Sequence, residues 1–139
     1  MMMYVTSKYD TKFKITNIIR RFLLENKTLQ LLVGNRIYPI ISIEEAGDGD
    51  CIVYQRESYS QMKTKQGIYE QEVSVFITAI SSDYDTSQEI AEQIYLTLQD
   101  IMSYKDEETG MIINWIDMVD STEDYAAGKY LQVLKFRVK

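Results

Sequence analysis

The sequence of 139 residues contains no histidine, one cysteine and one proline. Without histidine, the chain lacks the residue that most often serves as a general base, a metal ligand or a pH switch. The single cysteine, Cys51, excludes an intrachain disulfide and any zinc site built from several cysteines. Because Cys51 opens an apolar run, we expect a buried structural thiol rather than a reactive one.

Long apolar runs are also absent. No stretch approaches the roughly 18 residues of a membrane span, and residues 1–8 lack the sustained apolar core of a signal peptide. With 45% apolar and 26% charged residues, the composition is typical of a soluble globular protein. We therefore predict one domain over residues 1–139, made in the cytoplasm, with a loose arm at residues 1–9 and no membrane partner.

The chain has a formal net charge of −6, and the two signs are separated along it. Residues 1–39 carry seven Lys or Arg against two acids, whereas residues 83–124 carry twelve acids against Lys105 alone. This separation favours a dipolar monomer or head-to-tail contact between copies, while ordinary solvated helix faces would explain it equally. The acidic balance argues against specific nucleic-acid binding, which needs a basic footprint.

The clearest pattern is a strand followed by a helix within Tyr69–Met102. Apolar residues alternate through Val73–Ala79 and the second face is partly apolar, which predicts a central strand covered on both sides. We expect Asp85 or Thr86 to cap the following helix, with Glu89 completing a capping box. One apolar stripe then recurs at helical spacing, at Ile90, Ile94, Leu98 and Ile101 or Met102.

The N-terminal part predicts a second main helix, from a cap at Asp10 or Thr11 to Asn26. A short helical turn, Thr28–Val33, should add three leucines to the core and end at Gly34. These leucines are Leu29, Leu31 and Leu32. The only proline, Pro39, places the extended segment Asn35–Pro39 at a sheet edge or outside the sheet.

Three further strands complete the predicted sheet: Cys51–Glu57, Met111–Val119 and Tyr130–Val138. Four connections between the elements are predicted as loops or turns: Glu44–Asp50, Ser58–Gly67, Tyr104–Gly110 and Asp120–Ala127. Ser58–Gly67 is long for a hairpin loop, and loops of that size are often functional or mobile. The fold class is therefore α+β, with a mainly antiparallel sheet of about four strands and two main helices packed on it.

No motif for catalysis or metal binding emerges. Carboxylates are paired at Asp117 and Asp120 and at Glu123 and Asp124, but they flank a predicted turn in an acidic stretch, where solvated loop charge explains them. The segment Asp48–Asp50 is too short to match a calcium loop. We predict that the protein is not an enzyme and has no catalytic residue, cofactor or metal.

Eleven tyrosines are a surplus for a chain of this length. Tyrosine is favoured at protein interfaces because its ring is apolar while its hydroxyl group remains hydrated. Tyr38, Tyr59 and Tyr125 lie at predicted element ends or in loops, where a partner would touch them. The alternative is that most tyrosines simply lean on the sheet.

Several segments, in order, resemble small tail proteins of long-tailed bacteriophages and prophages. Leu31–Pro39 is similar to the family's "lvg.rIyp" segment, and Ile52–Arg56 is similar to its "Pyivyq" strand. The later matches are Val73–Ala79 with "v.vdvwa", Ile90–Leu98 with "ia..v...L", and Asp120–Tyr125 followed by Tyr130–Val133 with "D.y......h..vdf.v". The resemblance covers roughly residues 13–138.

This resemblance implies a tail terminator, or tail completion, protein with a fold similar to the lambda tail terminator and related head–tail connector proteins. Such proteins form a ring, commonly hexameric, on the head-proximal end of the tail tube, where they stop polymerisation and present a surface to the head connector. The implied partners are further copies of the chain, with or without a template, the tail-tube protein and the head connector protein. The implied locations are the host bacterial cytoplasm during assembly and then the virion tail.

The chain departs from the family pattern at two places. Asp50-Cys51 stands where the family has a proline before its second strand, and residues 58–68 carry no motif of the family. Two other classes of function remain open at this point. They are a monomeric or dimeric α+β protein-binding domain unrelated to phage, and an enzyme that uses carboxylates and a metal.

Two groups of residues are the candidates for function. The predicted protein interface consists of Arg36, Tyr38, Tyr59, Lys63, Lys65 and Tyr125. The acids predicted to face a DNA channel, where they would repel phosphates, are Asp117, Asp120, Glu123 and Asp124. We further predict that the Ser58–Gly67 loop is a flexible contact arm that becomes ordered on assembly.

Overall fold

The computed structural model describes residues 11–65 and 67–139. The predicted arm at residues 1–9 and the predicted cap Asp10 lie outside the described residues. The helices are α1 (Ile15–Glu25), α2 (Lys27–Val33), α3 (Ile43–Ala46) and α4 (Tyr84–Leu98). The strands are β1 (Ile37–Pro39), β2 (Cys51–Thr64), β3 (Gly67–Ser81), β4 (Met102–Lys105), β5 (Ile112–Ala126) and β6 (Lys129–Val138).

The strands form one sheet in the order β1-β2-β3-β6-β5-β4. β1 is parallel to β2, and the other neighbours are antiparallel. The α+β class is confirmed, but the sheet has six strands rather than about four. The two additional strands, β1 and β4, are the short ones, which the sequence analysis assigned to an extended segment and to a helix end and charged turn.

The main core lies between one face of the sheet and the helices α1, α2 and α4. β3 is central, as predicted, and alternate residues of β3 and β6 are buried against the helices. From the sheet these are Val73, Val75, Ile77, Ala79, Leu134, Phe136 and Val138. From α1 and α4 they are Ile15, Ile18, Ile19, Leu23, Ile90, Ile94 and Leu98. We call this side of the sheet the helical face and the opposite side the outer face.

A second, smaller cluster covers one end of the outer face. It consists of Cys51, Ile80 and Ala46, so that α3 packs on the strands from that side. Cys51 is fully buried, as predicted, and burial raises the pKa of its thiol. A thiol with a raised pKa is poor in thiolate, which agrees with a structural role.

Two predicted loops are strands. Ser58–Gly67 is wrong as a loop because β2 continues to Thr64 and β3 begins at Gly67. Asp120–Ala127 is wrong as a turn because β5 continues to Ala126. None of the side chains whose burial is described in these segments is buried, so neither segment carries the alternation of apolar and polar residues that marks a strand in a sequence.

The segment Glu44–Asp50, predicted as a loop, contains most of the short helix α3. In α4 the N-cap is Asp83, whose Oδ2 accepts hydrogen bonds from the Thr86 backbone N–H at 3.0 Å and the Thr86 hydroxyl at 2.7 Å. The predicted caps Asp85 and Thr86 therefore lie inside the helix. The physical reason is that a carboxylate three residues before a free N–H group reaches it without distorting the first turn.

Other helix boundaries also differ from the predictions. α4 ends at Leu98, so Ile101 and Met102 lie beyond it. α1 begins at Ile15 without a side-chain cap, and Thr11 instead accepts a hydrogen bond from the Phe13 backbone N–H at 3.1 Å. Leu31, predicted in the core, is 89% exposed because α2 turns its other side, with Leu29, toward the core. None of the helices among residues 11–65 and 67–139 is long and apolar enough to cross a membrane.

One buried carboxylate joins α1 to the turn between β4 and β5. Asp106 is 1% exposed and accepts a hydrogen bond from the Arg21 guanidinium at 2.6 Å. It also accepts from the Thr109 backbone N–H at 3.0 Å and the Thr109 hydroxyl at 2.6 Å. Burial by itself raises the pKa of the Asp106 carboxyl group, but the hydrogen bonds from Thr109 and Arg21 outweigh it and the net pKa is lowered.

We expect Asp106→Ala to lower the free energy of unfolding by about 2–4 kcal/mol, because it removes four hydrogen bonds, one of them from a charged group. Urea unfolding followed by circular dichroism measures this. Glu108→Ala is the matched control, since Glu108 is also near Arg21, at 3.7 Å, but is 80% exposed. The control should change the free energy by less than about 0.5 kcal/mol. Equal losses in both variants would contradict the buried role of Asp106.

The same carboxylate predicts a pH dependence. Because the folded-state pKa of Asp106 is lowered, its contribution to stability is present above the unfolded-state pKa and is lost as the pH falls through the folded-state value. The difference in free energy of unfolding between the wild type and Asp106→Asn should therefore be largest near pH 6 and shrink below about pH 4. A difference that stays constant down to pH 2.5 would contradict this assignment.

Candidate protein interface

The two outermost strands, β1 and β4, each cover only part of their neighbour. β1 pairs with Ile52–Tyr54 of β2, and β4 pairs with the beginning of β5, at Ile112–Trp115. Among the described residues, no strand pairs with the outer side of β5 beyond Ile116. We call Asp117–Tyr125 the acidic edge. All nine of its residues are exposed. A partner can therefore reach both faces of this strand and also its unpaired backbone edge.

At the other side of the sheet, the hairpin β2–β3 extends beyond its neighbours. β6 pairs with β3 only from Val73 onward, while β2 and β3 remain paired to Thr64 and Gly67. Ser60–Lys65 and Gly67–Glu72 therefore form a two-stranded arm. The Ser58–Gly67 segment is thus part of a projecting hairpin built of strands, and its role as a flexible contact arm that becomes ordered on assembly stays a prediction.

The arm is fixed at its base by polar contacts with the segment before α1. The hydroxyl group of Tyr59 lies in close hydrogen-bond contact with Oε1 of Gln71. The same Oε1 accepts from the Lys12 backbone N–H at 3.0 Å. The ring of Tyr59 lies 5.9 Å from that of Phe13, which in turn packs 4.0 Å below the guanidinium of Arg56. The predicted interface residue Tyr59 therefore anchors the arm.

Among the described residues, the cations of the C-terminal strand form ion pairs only with acids on the β2–β3 side of that strand. They are paired with acids of β2 and β3, as Lys135 with Glu57 at 3.1 Å, Arg137 with Glu72 at 2.9 Å, and Lys139 with Glu70 at 3.3 Å. Asp117 lies directly opposite Arg137 across β5–β6, and Asp120 lies opposite Lys135, yet neither forms an ion pair with a described residue. The acids near the arm are therefore neutralised, and those of the acidic edge are not.

The four predicted channel acids do not share one face. Residues directly opposite each other in an antiparallel pair lie on the same face. Asp117 and Asp120 therefore lie on the outer face with the cations of β6, and so does Asp124. Glu123 lies opposite Gln132 on the helical face, where its carboxylate accepts hydrogen bonds from Gln132 Nε2 and from the Tyr84 hydroxyl, both at 2.7 Å.

These two hydrogen bonds, the larger effect coming from Gln132, lower the pKa of Glu123. Correspondingly, the carboxylate of Glu123 raises the pKa of Tyr84. Tyr84 and the predicted interface residue Tyr125 both pack against Tyr130, with ring centroids 5.4 Å and 4.9 Å away. The tip of β5–β6 thus presents three tyrosines, of which Tyr125 is 59% exposed.

The remaining predicted interface residues lie apart from one another. Arg36 donates hydrogen bonds to the backbone carbonyls of Ala46 at 2.6 Å and Asp50 at 3.1 Å, and it lies over the ring of Tyr38 at 5.7 Å. Arg36 therefore holds the α3 segment in place. Lys63 and Lys65 are exposed on the arm and form no ion pair with a described residue.

Four exposed apolar residues at these surfaces were not among the predicted interface residues. They are Met62 on the arm, Met118 and Val119 on the acidic edge, and Met102, which begins β4 beside it. Their exposed fractions lie between 38% and 55%. Methionine adapts its shape to a partner and is frequent at binding surfaces. For Met118 and Val119, the only signal in the sequence is that they form an apolar pair between two acids, which does not reveal exposure.

Within the described ranges, no group of three or more Cys, Asp or Glu side chains is placed to hold a metal ion. No protein-family model and no curated protein matches the chain. Chains of solved structures share the fold. One of them belongs to the virion of a native gene transfer agent particle and is similar with a TM-score of 0.67 over 86% of this chain and 89% of that chain. The sequence identity is 14%.

We expect the acids of the edge to contribute little to the stability of the single chain. Asp120 and Asp124 each accept a hydrogen bond only from the backbone N–H of the next residue, at 2.9 Å and 2.8 Å. An asparagine retains that acceptor, so Asp120→Asn and Asp124→Asn should each change the free energy of unfolding by less than about 0.5 kcal/mol. Thermal and urea unfolding of the monomer measures this change. A larger loss of free energy of unfolding would show that these acids stabilise the fold.

Proposed function

We propose that this chain is a structural component of a phage or prophage virion, of the tail terminator or head–tail joining class, and not an enzyme. The observation that carries this proposal is the shared fold with a virion chain over nearly the whole of both chains. Identity at this level supports a fold, and the function rests on two further features. They are the segments that resemble tail terminators and the open edges of the sheet.

The proposed assembly is a homo-oligomeric ring, with six copies as the family pattern suggests. A ring of identical copies requires a heterologous contact, in which one surface of each copy meets a different surface of the next. The arm and the acidic edge are two such different surfaces, near opposite sides of the sheet. Each exposes apolar side chains beside charges of one sign that form no ion pair with a described residue, Lys63 and Lys65 on the arm and aspartates on the edge.

The other partners are the tail-tube protein and the head connector protein, and the location is the host cytoplasm during assembly and the virion tail afterwards. Acids that face the channel of such a ring would keep DNA from adhering. Only Asp117, Asp120 and Asp124 share a face of the sheet, so the channel proposal is restricted to these three. Glu123 is engaged by Tyr84 and Gln132 on the other face.

The test is deletion of the gene in the strain that encodes it, followed by electron microscopy of the particles after induction. Loss of a terminator should give tails of variable length that are not joined to heads. Complementation with the tagged wild-type chain should restore uniform, joined tails, with antibody label at the head-proximal end. Glu108→Ala is the control variant, since Glu108 is 80% exposed and lies outside the arm and the acidic edge.

Two results would contradict the proposal. Particles of normal tail length and normal head attachment after deletion would remove the structural role. If the antibody label is found on a cellular protein and not on particles, the function of a protein-binding domain unrelated to phage is favoured. Restored particles labelled at the far end of the tail would keep the virion role but reject the terminator position.

A further inference from the structure

We propose that the arm of one copy docks on the acidic edge of the next copy, with Lys63 and Lys65 meeting Asp117, Asp120 and Asp124. This inference rests on the proposed ring and names the surfaces that close it. The occupant of the acidic edge is therefore a second copy of this chain, held by opposite charge and by a small apolar contact.

The arm holds two lysines, Lys63 and Lys65, and two acids, Glu70 and Glu72, and in the folded protein its acids are paired with cations outside the arm. Glu70 and Glu72 both lie within ion-pair distance of Lys139, at 3.3 Å and 3.7 Å, and Glu72 also binds Arg137. Lys63 and Lys65 have no such partner among the described residues. An acidic surface on another molecule would supply it.

The acidic edge has the complementary properties. Its acids are left unneutralised because the cations of β6 bind acids on their other side, as Lys135 binds Glu57 at 3.1 Å. Val119, 38% exposed, lies in the register shift between Met118 and Asp120, and Met62 on the arm is 55% exposed. A contact between the two surfaces therefore buries methionine and valine while it pairs lysine with aspartate.

Charge also favours a contact between an arm and an acidic edge over a contact between two arms or two edges. Two acidic edges repel each other, and so do two arms, because like charges in one interface are destabilising. An arm and an edge attract. Since the two surfaces belong to β2–β3 and β5, on either side of β6, the contact is head-to-tail and closes into a ring when the rotation between copies allows it.

This contact and the channel prediction assign different places to the same carboxylates. In the contact, Asp117, Asp120 and Asp124 are covered by lysines of the neighbour. In the channel, they remain bare toward DNA. A charge-exchange experiment separates the two, because only the contact makes the charge of the arm and the charge of the edge depend on each other.

The experiment measures the mass of the full chain by light scattering and sedimentation, up to about millimolar concentration and from low to high salt. The wild type should give a discrete multiple of 16.3 kDa that weakens with salt. Lys63→Glu with Lys65→Glu, and separately Asp120→Lys with Asp124→Lys, should each weaken association at least about tenfold, since each replaces attraction by repulsion. The four substitutions combined in one chain, or an equal mixture of the two double variants, should restore association.

Glu89→Lys with Glu92→Lys is the matched control, because it changes the net charge as much as the edge variant does but on the exposed side of α4. It should associate like the wild type. Circular dichroism checks that each variant is folded. The combined variant has the net charge of the wild type, so a second control carries Lys63→Glu, Lys65→Glu, Glu89→Lys and Glu92→Lys in one chain. This control also has the wild-type net charge but should stay dissociated, because its arm and its edge are both acidic.

Three results would overturn the inference. The first is a wild type that stays at 16.3 kDa throughout, and the second is an arm variant that associates normally. The third is a combined variant that stays dissociated. In each case the deletion phenotype of the particles still decides the proposed function separately, so that failure of the contact and failure of the virion role are distinguishable.

Discussion

The structure depends on the burial of the helical face of β3 and β6 under α4 and α1. Val75, Ile77 and Phe136 are fully buried there, and each such side chain stabilises the fold by about 1.5–3 kcal/mol relative to exposure. A helix and a strand of equal residue number differ in length. The 15 residues of α4 extend about 22 Å and the 15 residues of β3 about 50 Å. The helices therefore cannot cover the sheet, and the strands project beyond them.

This difference in length explains which parts of the fold the sequence predicts. Where the helices cover the strands, as at Val73–Ala79, alternation of apolar residues marks the strand and its central place correctly. Where the strands project, as at Ser58–Lys63 and Asp120–Ala126, the side chains on both faces are exposed or half-buried and the alternation disappears. Those strands exist because a neighbouring strand supplies their backbone hydrogen bonds. These pairs are local, since Thr64 pairs with Gly67 and Ala126 with Lys129, but backbone pairing does not require alternating apolar side chains and therefore leaves no such pattern in the sequence.

The candidate interface, like the fold, is predicted from the sequence only in part. Separation of charge between residues 1–39 and residues 83–124 is visible in the sequence, and it favoured a dipolar monomer or head-to-tail contact, with ordinary solvated faces as an equal explanation. Which charges remain free is decided by the fold, because Arg137 lies between Glu72 and Asp117 and binds Glu72 at 2.9 Å. No spacing in the sequence determines that choice. The cap at Asp83 differs, since Asp83 and Thr86 are three residues apart and a local pattern would have been sufficient to identify it.

An open strand edge is a hazard for a soluble protein, because it pairs with other edges without selectivity. Charged side chains and bulges are the usual protection, and both occur here. The arm strand β2 has register shifts after Arg56 and Met62, and β5 has one after Met118. Protection by charge alone would work with one sign on both edges. Opposite signs on the two sides of the sheet block like pairs and permit the unlike pair, so the same residues that prevent aggregation also direct assembly.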